Sequence, residues 1–290
     1  MSEQPRRTAE GPARAVIRRA AVLGKPVQHS LSPVLHTAAY AALGLQGWHY
    51  GKHECGEEEL AGFVAELGPE WAGLSLTMPL KRVALEVADE ITPAAAAIGA
   101  ANTLVLRGAA GGGALAANTD VVGIVEALRE VGVRRVERAV ILGAGGTAQA
   151  ALESLRLLGE SAPTVLVRDT ARTTELQATA ERLGVSPRIL DWLPTRPLPD
   201  ADVVISTVPS GVADVYTDTV WAPRTVVVDV VYDPWPTPLA ASAVAAGCQV
   251  ANGLDVLLHQ AVDQVTLMTG LHGPVQDMRA ALDAALRARG

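Results

Sequence analysis

Lysine is nearly missing from this 290-residue chain: Lys25, Lys52 and Lys81 are all it has, and arginine carries the other positive charges. A lysine in a turn between strand and helix therefore stands out. Basic excess is missing too. With 24 Lys+Arg against 31 Asp+Glu the formal net charge is −7, which implies no basic face and argues against nucleic-acid binding. Cysteine is reduced to Cys55 and Cys248. These are too few and too far apart for a disulfide framework or a metal site, and two buried thiols are expected. Long apolar runs are absent; Gly, Pro or charge interrupts each one, which excludes a membrane span. Residues 1–19 are polar and Arg-rich without an apolar core, unlike a secretory signal. The first 14 read as a disordered lead-in, and a cytoplasmic protein is expected.

What the chain does have is apolar mass and glycine. Hydrophobic residues make up 49%, and the length is comfortable for two domains. The stretch Ala139-Val-Ile-Leu-Gly-Ala-Gly-Gly-Thr-Ala148 organises the rest. An apolar strand stops at Gly143, a glycine-rich turn follows, and an alanine-rich helix begins. Gly143, Gly145 and Ala148 fit the G-x-G-x-x-A form of the dinucleotide fingerprint. Its small residues permit a tight turn, close approach of backbone N–H groups to a pyrophosphate, and tight helix–strand packing. With Ala144, Gly146 and Thr147, these residues form the candidate phosphate-binding turn at a helix N-terminus.

Upstream, residues 15–23 read as a strand running into Gly24-Lys-Pro-Val-Gln-His-Ser-Leu-Ser-Pro33. Ser30 and Ser32 precede Pro33, which suits the first position of a helix. Ser32 either caps that helix over 34–43, or both hydroxyls face a ligand. Residues 48–50 suggest a second strand and 57–67 a helix. His49 and His53 have i, i+4 spacing but lie across strand and turn, so they are discounted as metal ligands. Residues 73–78 alternate as a strand, and Pro79 is expected to open a helix to about Asp89. Thr77 and Lys81 then lie near a strand's C-terminal end, where open α/β sheets bind ligands. A lysine in the first turn of a helix meets an unfavourable dipole, which favours the neutral amine and suits proton transfer; the alternative is a solvated surface lysine. Asn102 and Thr103 start a strand, residues 108–114 form a glycine-rich hairpin turn, and Asn118-Thr-Asp120 ends the next strand before a helix over 121–131. Asp120 taken alone is an N-cap or first-turn acid.

These turns are not independent. In order along residues 20–280, the chain resembles the shikimate dehydrogenase family. The matching segments are Gly24-Lys-Pro-Val-x-His-Ser-x-Ser-Pro-x-x-His36, Leu76-Thr-Met-Pro-x-Lys81, Gly99-Ala-x-Asn-Thr103, Asn118-Thr-Asp-x-x-Gly123, Gly143-Ala-Gly-Gly-Thr-Ala148 and Asn252-Gly-Leu-x-x-Leu-x-x-Gln260. The resemblance implies NADP-linked interconversion of 3-dehydroshikimate and shikimate, with Lys81 and Asp120 as the catalytic pair. It implies that Ser30 and Ser32 hold the substrate carboxylate, and that Thr77, Asn102, Asp120 and Gln260 hold ring hydroxyls. The chain departs from the family's frequent Asn at Ser75 and from its frequent Gly at Val121.

Beyond the glycine turn, a helix over 148–158 leads to a strand over 163–168. About 20 residues past the loop, where an acid would bind the ribose of NAD, stands Arg168, followed by Asp169, Thr170 and Arg172. Two arginines favour the 2′-phosphate of NADP over NAD; Asp169, if it faced the ribose, would favour NAD. Residues 201–211 and 225–232 read as buried parallel strands. By resemblance, Thr207 and Val208 lie along the cofactor, Gly253 belongs to its site, and Tyr232 approaches the substrate. Rim packing is the other reading of Tyr232. Residues 247–251 form a last strand, 254–268 a long apolar helix that returns to the first domain, and Pro274 begins another. His259 is assigned a structural place.

The expectation is an α/β protein of two domains: a discontinuous substrate-binding domain over 15–120 and 255–290, and a Rossmann-like NADP-binding domain with a parallel sheet over 121–254. Its partners would be a small-molecule substrate and no metal, nucleic acid or membrane, in a monomer or homodimer. The rival readings are an NAD-dependent quinate/shikimate dehydrogenase, an aminoshikimate-type paralogue, and a non-catalytic nucleotide-binding regulator.

Overall fold

The computed structural model describes residues 18–108, 113–192 and 197–288. The lead-in at 1–14, the start of the opening strand and the centre of the 108–114 turn lie outside the described residues. The chain begins β1 (Arg18–Gly24), α1 (Ser32–Ala42), β2 (Trp48–Glu54), a 3-10 turn and α2 (Leu60–Ala65), β3 (Trp71–Leu76) and α3 (Ala84–Val87). It continues β4 (Glu90–Ile91), α4 (Pro93–Ile98), β5 (Thr103–Leu106), β6 (Ala114–Ala117) and α5 (Asp120–Glu130). Then follow β7 (Ala139–Leu142), α6 (Gly146–Leu157), β8 (Thr164–Val167), α7 (Thr174–Leu183), β9 (Arg188–Asp191), β10 (Val203–Ser206) and β11 (Val226–Asp229). The last elements are α8 (Pro238–Ala245), β12 (Gln249–Asn252), α9 (Gly253–Thr269) and α10 (Val275–Arg287).

The strands form two sheets. The first is mixed, in the order β2-β1-β3-β5-β6-β4, with β1 parallel to β2 and β3 and with β5 antiparallel to β3 and β6. The second, β12-β11-β10-β7-β8-β9, is parallel throughout. Counted from β7, this is the doubly wound order 3-2-1-4-5-6 seen from the other edge, and its switch point lies between β7 and β10. Every residue of β7, β10 and β11 is buried, which is why these strands read as unbroken apolar runs.

The C-terminal helices return to the first sheet's side. Leu258, Ala261 and Val265 of α9 and Met278 and Leu282 of α10 share a core with Leu35 and Ala39 of α1. At Gly123, α5 and α9 cross so closely that a Cβ would lie 2.7 Å from the Val256 carbonyl oxygen and 3.1 Å from Gln260 Cβ. On the other side, Arg182 Nε of α7 donates to the Ala97 carbonyl (2.7 Å) and Thr179 Oγ1 to that of Ile98 (2.9 Å), which ties α7 to α4. Cys55 and Cys248 are free and buried, as expected. Among the described residues no helix is long and apolar enough to cross a membrane, and no cluster of metal-ligating side chains occurs.

One local expectation fails. Pro79 opens turns rather than a helix, and only residues Ala84–Val87 become α-helical. The reason lies in the Lys81 carbonyl, which accepts from Ala101 N at 2.7 Å across to the neighbouring segment instead of from its own chain one turn on. Lys81 therefore sits in no helical first turn, and the dipole argument does not apply to it.

Candidate active site

A cavity of about 440 Å³ lies at the C-terminal ends of β1, β3, β11 and β12. Ser30, Ser32, Thr77, Lys81, Asn102, Asp120, Tyr232 and Gln260 all line it, so residues spread over most of the chain meet in one place. Thr147 and Gly253 also line it, from the first turns of α6 and α9.

The hydrogen bonds explain how each group is held. Lys81 Nζ donates to Asp120 Oδ2 at 2.5 Å, with side chains 28% and 14% exposed: open enough to meet a ligand, closed enough to strengthen the pair. Asn102 Nδ2 donates to the other carboxylate oxygen at 2.8 Å, and is also 3.0 Å from Thr119 Oγ1 and 3.3 Å from Gln260 Oε1. Gln260 Nε2 is anchored on the Leu257 carbonyl at 2.9 Å. Asp120 is the first residue of α5 and not its cap: Thr119 holds the N-cap position, and Asn118 Oδ1 accepts from Asp120 N at 3.0 Å. A carboxylate there is favoured by the helix end as well as by its partners. Nor does Ser32 cap α1. The N-cap is Leu31, with no side-chain cap, while Ser30 Oγ accepts from Ser32 N at 3.3 Å. The Ser32 hydroxyl is thereby not used up by the helix.

Tyr232 is both a cavity-lining and a packed side chain. It lines the cavity and it packs against the core that contains Leu31, Leu35 and Leu258, beside the α9 start, where Gly253 leaves no room for a Cβ against the Val230 carbonyl. The segment that carries it is pinned by Asp229. That carboxylate accepts from Thr237 Oγ1 (2.7 Å) and Val231 N (3.2 Å), and burial raises its pKa.

The remaining predicted residues gather around the second sheet and fit a dinucleotide. Gly143 has φ +109°, and a Cβ on it would lie 2.6 Å from Thr207 Oγ1 and 3.1 Å from Val208 Cγ1, so the turns after β7 and β10 touch at the switch point. Gly145 and Gly146 face open space, the N-cap of α6 has no side-chain cap, and its first turn holds no acid. Ala144 lies in that turn, and Ala148 is buried against the sheet. These amides are free to meet phosphate oxygens. After β8, Arg168 and Arg172 are exposed and make no ion pair among the described residues. Asp169 Oδ1 instead accepts from Ala171 N at 3.0 Å, in the short 3-10 turn containing Thr170. Two free guanidinium groups beside a carboxylate occupied by its own backbone suit a phosphate better than a ribose diol.

Sequence reasoning missed a buried polar layer behind the cavity. Tyr50 OH donates to Ser75 Oγ (2.6 Å), Ser75 Oγ donates to Gln264 Oε1 (2.7 Å), and His36 Nε2 lies 3.3 Å from the same oxygen. Ser75 and Gln264 line the cavity. The signals were available: Ser75 shares a strand face with Thr77, and Gln264 follows Gln260 by one helical turn. His259 lies 3.2 Å from Glu130 Oε1, away from the cavity.

Comparison with known proteins gives a consistent picture. Residues 22–104 match the family model described as the shikimate dehydrogenase substrate binding domain, and residues 253–282 match the shikimate 5'-dehydrogenase C-terminal domain. A shikimate dehydrogenase (NADP(+)) of Desulfitobacterium hafniense is 35% identical over 276 residues, covering 93% of this chain and 99% of its own. The crystal structure of Mycobacterium tuberculosis shikimate dehydrogenase superposes with a TM-score of 0.81 at 43% identity, covering 92% of this chain and 99% of that one. That of the Thermus thermophilus shikimate 5-dehydrogenase, in complex with NADP(H) and shikimate, gives 0.77 at 31% identity, covering 93% and 100%.

Proposed function

This chain belongs to the shikimate dehydrogenase family, and from that premise we propose how its cavity performs an NADP-dependent, reversible reduction of 3-dehydroshikimate to shikimate. The enzyme is an oxidoreductase of the shikimate pathway, on the route to aromatic amino acids. The observation that carries the reading is the Lys81–Asp120 pair, held by Asn102 inside a cavity that also presents Ser30, Ser32, Thr77 and Gln260.

In this reading Ser30 and Ser32 hold the substrate carboxylate by hydrogen bonds. Thr77, Asn102 and Gln260 bind ring hydroxyls, and Tyr232 contributes to the cavity wall. The turn at 143–148, Arg168 and Arg172 toward a 2′-phosphate, and Thr207, Val208 and Gly253 would hold NADP, whose reduced form would supply the hydride to C3 and whose oxidised form would take it back. Lys81 handles the proton. In the reduction direction its ammonium gives a proton to the oxygen at C3, and in oxidation the amine takes it back. Asp120, whose two oxygens are fixed by Lys81 and Asn102, orients the hydroxyl and compensates the ammonium. We further assign the substrate side to 15–120 with 255–290 and the cofactor side to 121–254, in a cytoplasmic enzyme. A non-catalytic nucleotide binder has no physical need for the hydrogen-bonded Asn102–Asp120–Lys81 arrangement that lines the cavity.

The test is a side-by-side assay of shikimate and quinate with NADP+ and NAD+. Turnover mainly with shikimate and NADP+ is expected. Equal or better turnover with quinate and NAD+ would overturn the substrate and cofactor assignment.

A further inference from the structure

Hydrogen bonds to groups of fixed polarity set the proton direction at Gln264 and Ser75 in the buried polar layer behind the cavity, where Tyr50 also has Ser32 as a hydroxyl neighbour. Thr119 N donates to Asn102 Oδ1 (2.8 Å) while Asn102 Nδ2 donates to the Asp120 carboxylate (2.8 Å), which fixes that amide from both ends. Thr103 Oγ1 then gives its proton to Asn102 Oδ1 (2.9 Å) and accepts from Gln264 Nε2 (3.0 Å). The Asn102 main-chain carbonyl, which can only accept, faces the same Nε2 at 3.3 Å. Both contacts turn the Gln264 NH2 group away from Ser75 and its Oε1 toward it. Ser75 must therefore donate to Gln264, and the Tyr50 hydroxyl must donate to Ser75. His36 closes the circuit. Burial lowers its pKa to about 3, so the ring is neutral, and its Nε2–H points at Gln264 Oε1 while Nδ1 is left for Tyr40 OH at 3.5 Å.

A serine hydroxyl has one proton and two lone pairs. Gln264 takes the proton of Ser75 and Tyr50 takes one lone pair. What Ser75 has left to offer the cavity it lines is a single lone pair. We propose that Gln264 is a specificity-determining residue acting through Ser75: it holds Ser75 as an acceptor-only hydroxyl, so the substrate group facing Ser75 must be a hydrogen-bond donor. A ring hydroxyl is accepted there; an oxo, ether or fluoro substituent is rejected, because lone pairs would face each other in a buried site. The inference rests on the shikimate reading of the cavity and adds a polarity filter to it.

The experiment measures binding of shikimate and of its 4-fluoro and 5-fluoro analogues by calorimetry, after wild-type turnover with shikimate and NADP+ has been recorded. Fluorine keeps the size near that of a hydroxyl and can only accept. Wild type is expected to bind one analogue at least about tenfold more weakly than shikimate, the scale of one lost hydrogen bond plus an unfavourable contact. In Gln264→Leu the Ser75 proton is freed, and the penalty at that ring position should fall below about threefold while the penalty at the other position stays. Ser75→Ala, a smaller change with less risk to folding, should abolish the same position-specific penalty. A penalty that stays unchanged in Ser75→Ala, or in a folded Gln264→Leu, overturns the proposal. So does a wild type that binds both analogues as tightly as shikimate. Absence of wild-type turnover would overturn the shikimate reading itself, a different result from intact turnover with unchanged penalties.

Discussion

Acid should destabilise this protein through His36 in a way that one substitution removes. His36 is fully buried, stacked on Tyr50 with ring centroids 3.9 Å apart, and burial lowers its pKa from 6.5 to about 3. The folded value lies below the unfolded one. The stability linked to the neutral ring is therefore complete above pH 6.5 and is lost as the pH falls toward 3, because only the unfolded chain takes up the proton. At about 1.4 kcal/mol per pH unit for one proton, the loss between about pH 7.5 and about pH 5 is about 2 kcal/mol. Other groups titrate in the same window, so the quantity to measure is a difference. Urea unfolding of wild type and His36→Phe at both pH values should show wild type losing about 2 kcal/mol more than the variant. The variant starts lower, since it lacks the donor to Gln264. Equal losses in the two proteins would refute the reasoning, as would a His36 ring found protonated at about pH 5 by NMR; the NMR test stands even if the variant does not fold.

Two other outcomes follow from the geometry. Arg168→Ala should raise KM for NADP+ by about tenfold or more and leave KM for NAD+ nearly unchanged, since it removes a charge-assisted bond only the 2′-phosphate can make; steady-state kinetics with both cofactors checks this. Gly123→Ala places a methyl 2.7 Å from the Val256 carbonyl oxygen and must push α9 away from α5. It should destabilise by about 1–3 kcal/mol and, because Gln260 rides on α9, raise KM for shikimate more than KM for NADP+.

Much of this was legible in the chain. The run 139–148 read as strand, turn and helix because each part has its own physical signature: a fully buried parallel strand, glycines where no side chain fits, and a helix start without a cap. Lys81 stood out by residue type and by its position near a strand end, whereas Asp120 taken alone read as a cap or first-turn acid and gained its role only from the family-like motifs. What spacing alone does not reveal is that residues 39 positions apart form an ion pair; the order of the family-like motifs pointed to it, and the sheet brings it about. The helix expected after Pro79 failed because the Lys81 carbonyl is taken by Ala101 of another segment, a tertiary bond with no local trace. β9 went unread for a simpler reason: it is a short edge strand with no fully buried residue and no apolar run. Gln264 was overlooked because a glutamine in a long apolar helix reads as part of its solvent side, whereas here it is 1% exposed and saturated with partners.

The most direct measurement is NADPH formation from shikimate, followed by ultraviolet absorbance, in wild type and in Lys81→Ala, with shikimate affinity determined separately for both. Wild type should turn over. The variant should lose about 10²–10⁴ in kcat, the usual worth of a placed proton-transfer group, while its affinity for shikimate changes only a few-fold. A variant that keeps more than about a tenth of the wild-type kcat would contradict the assignment of the proton to Lys81.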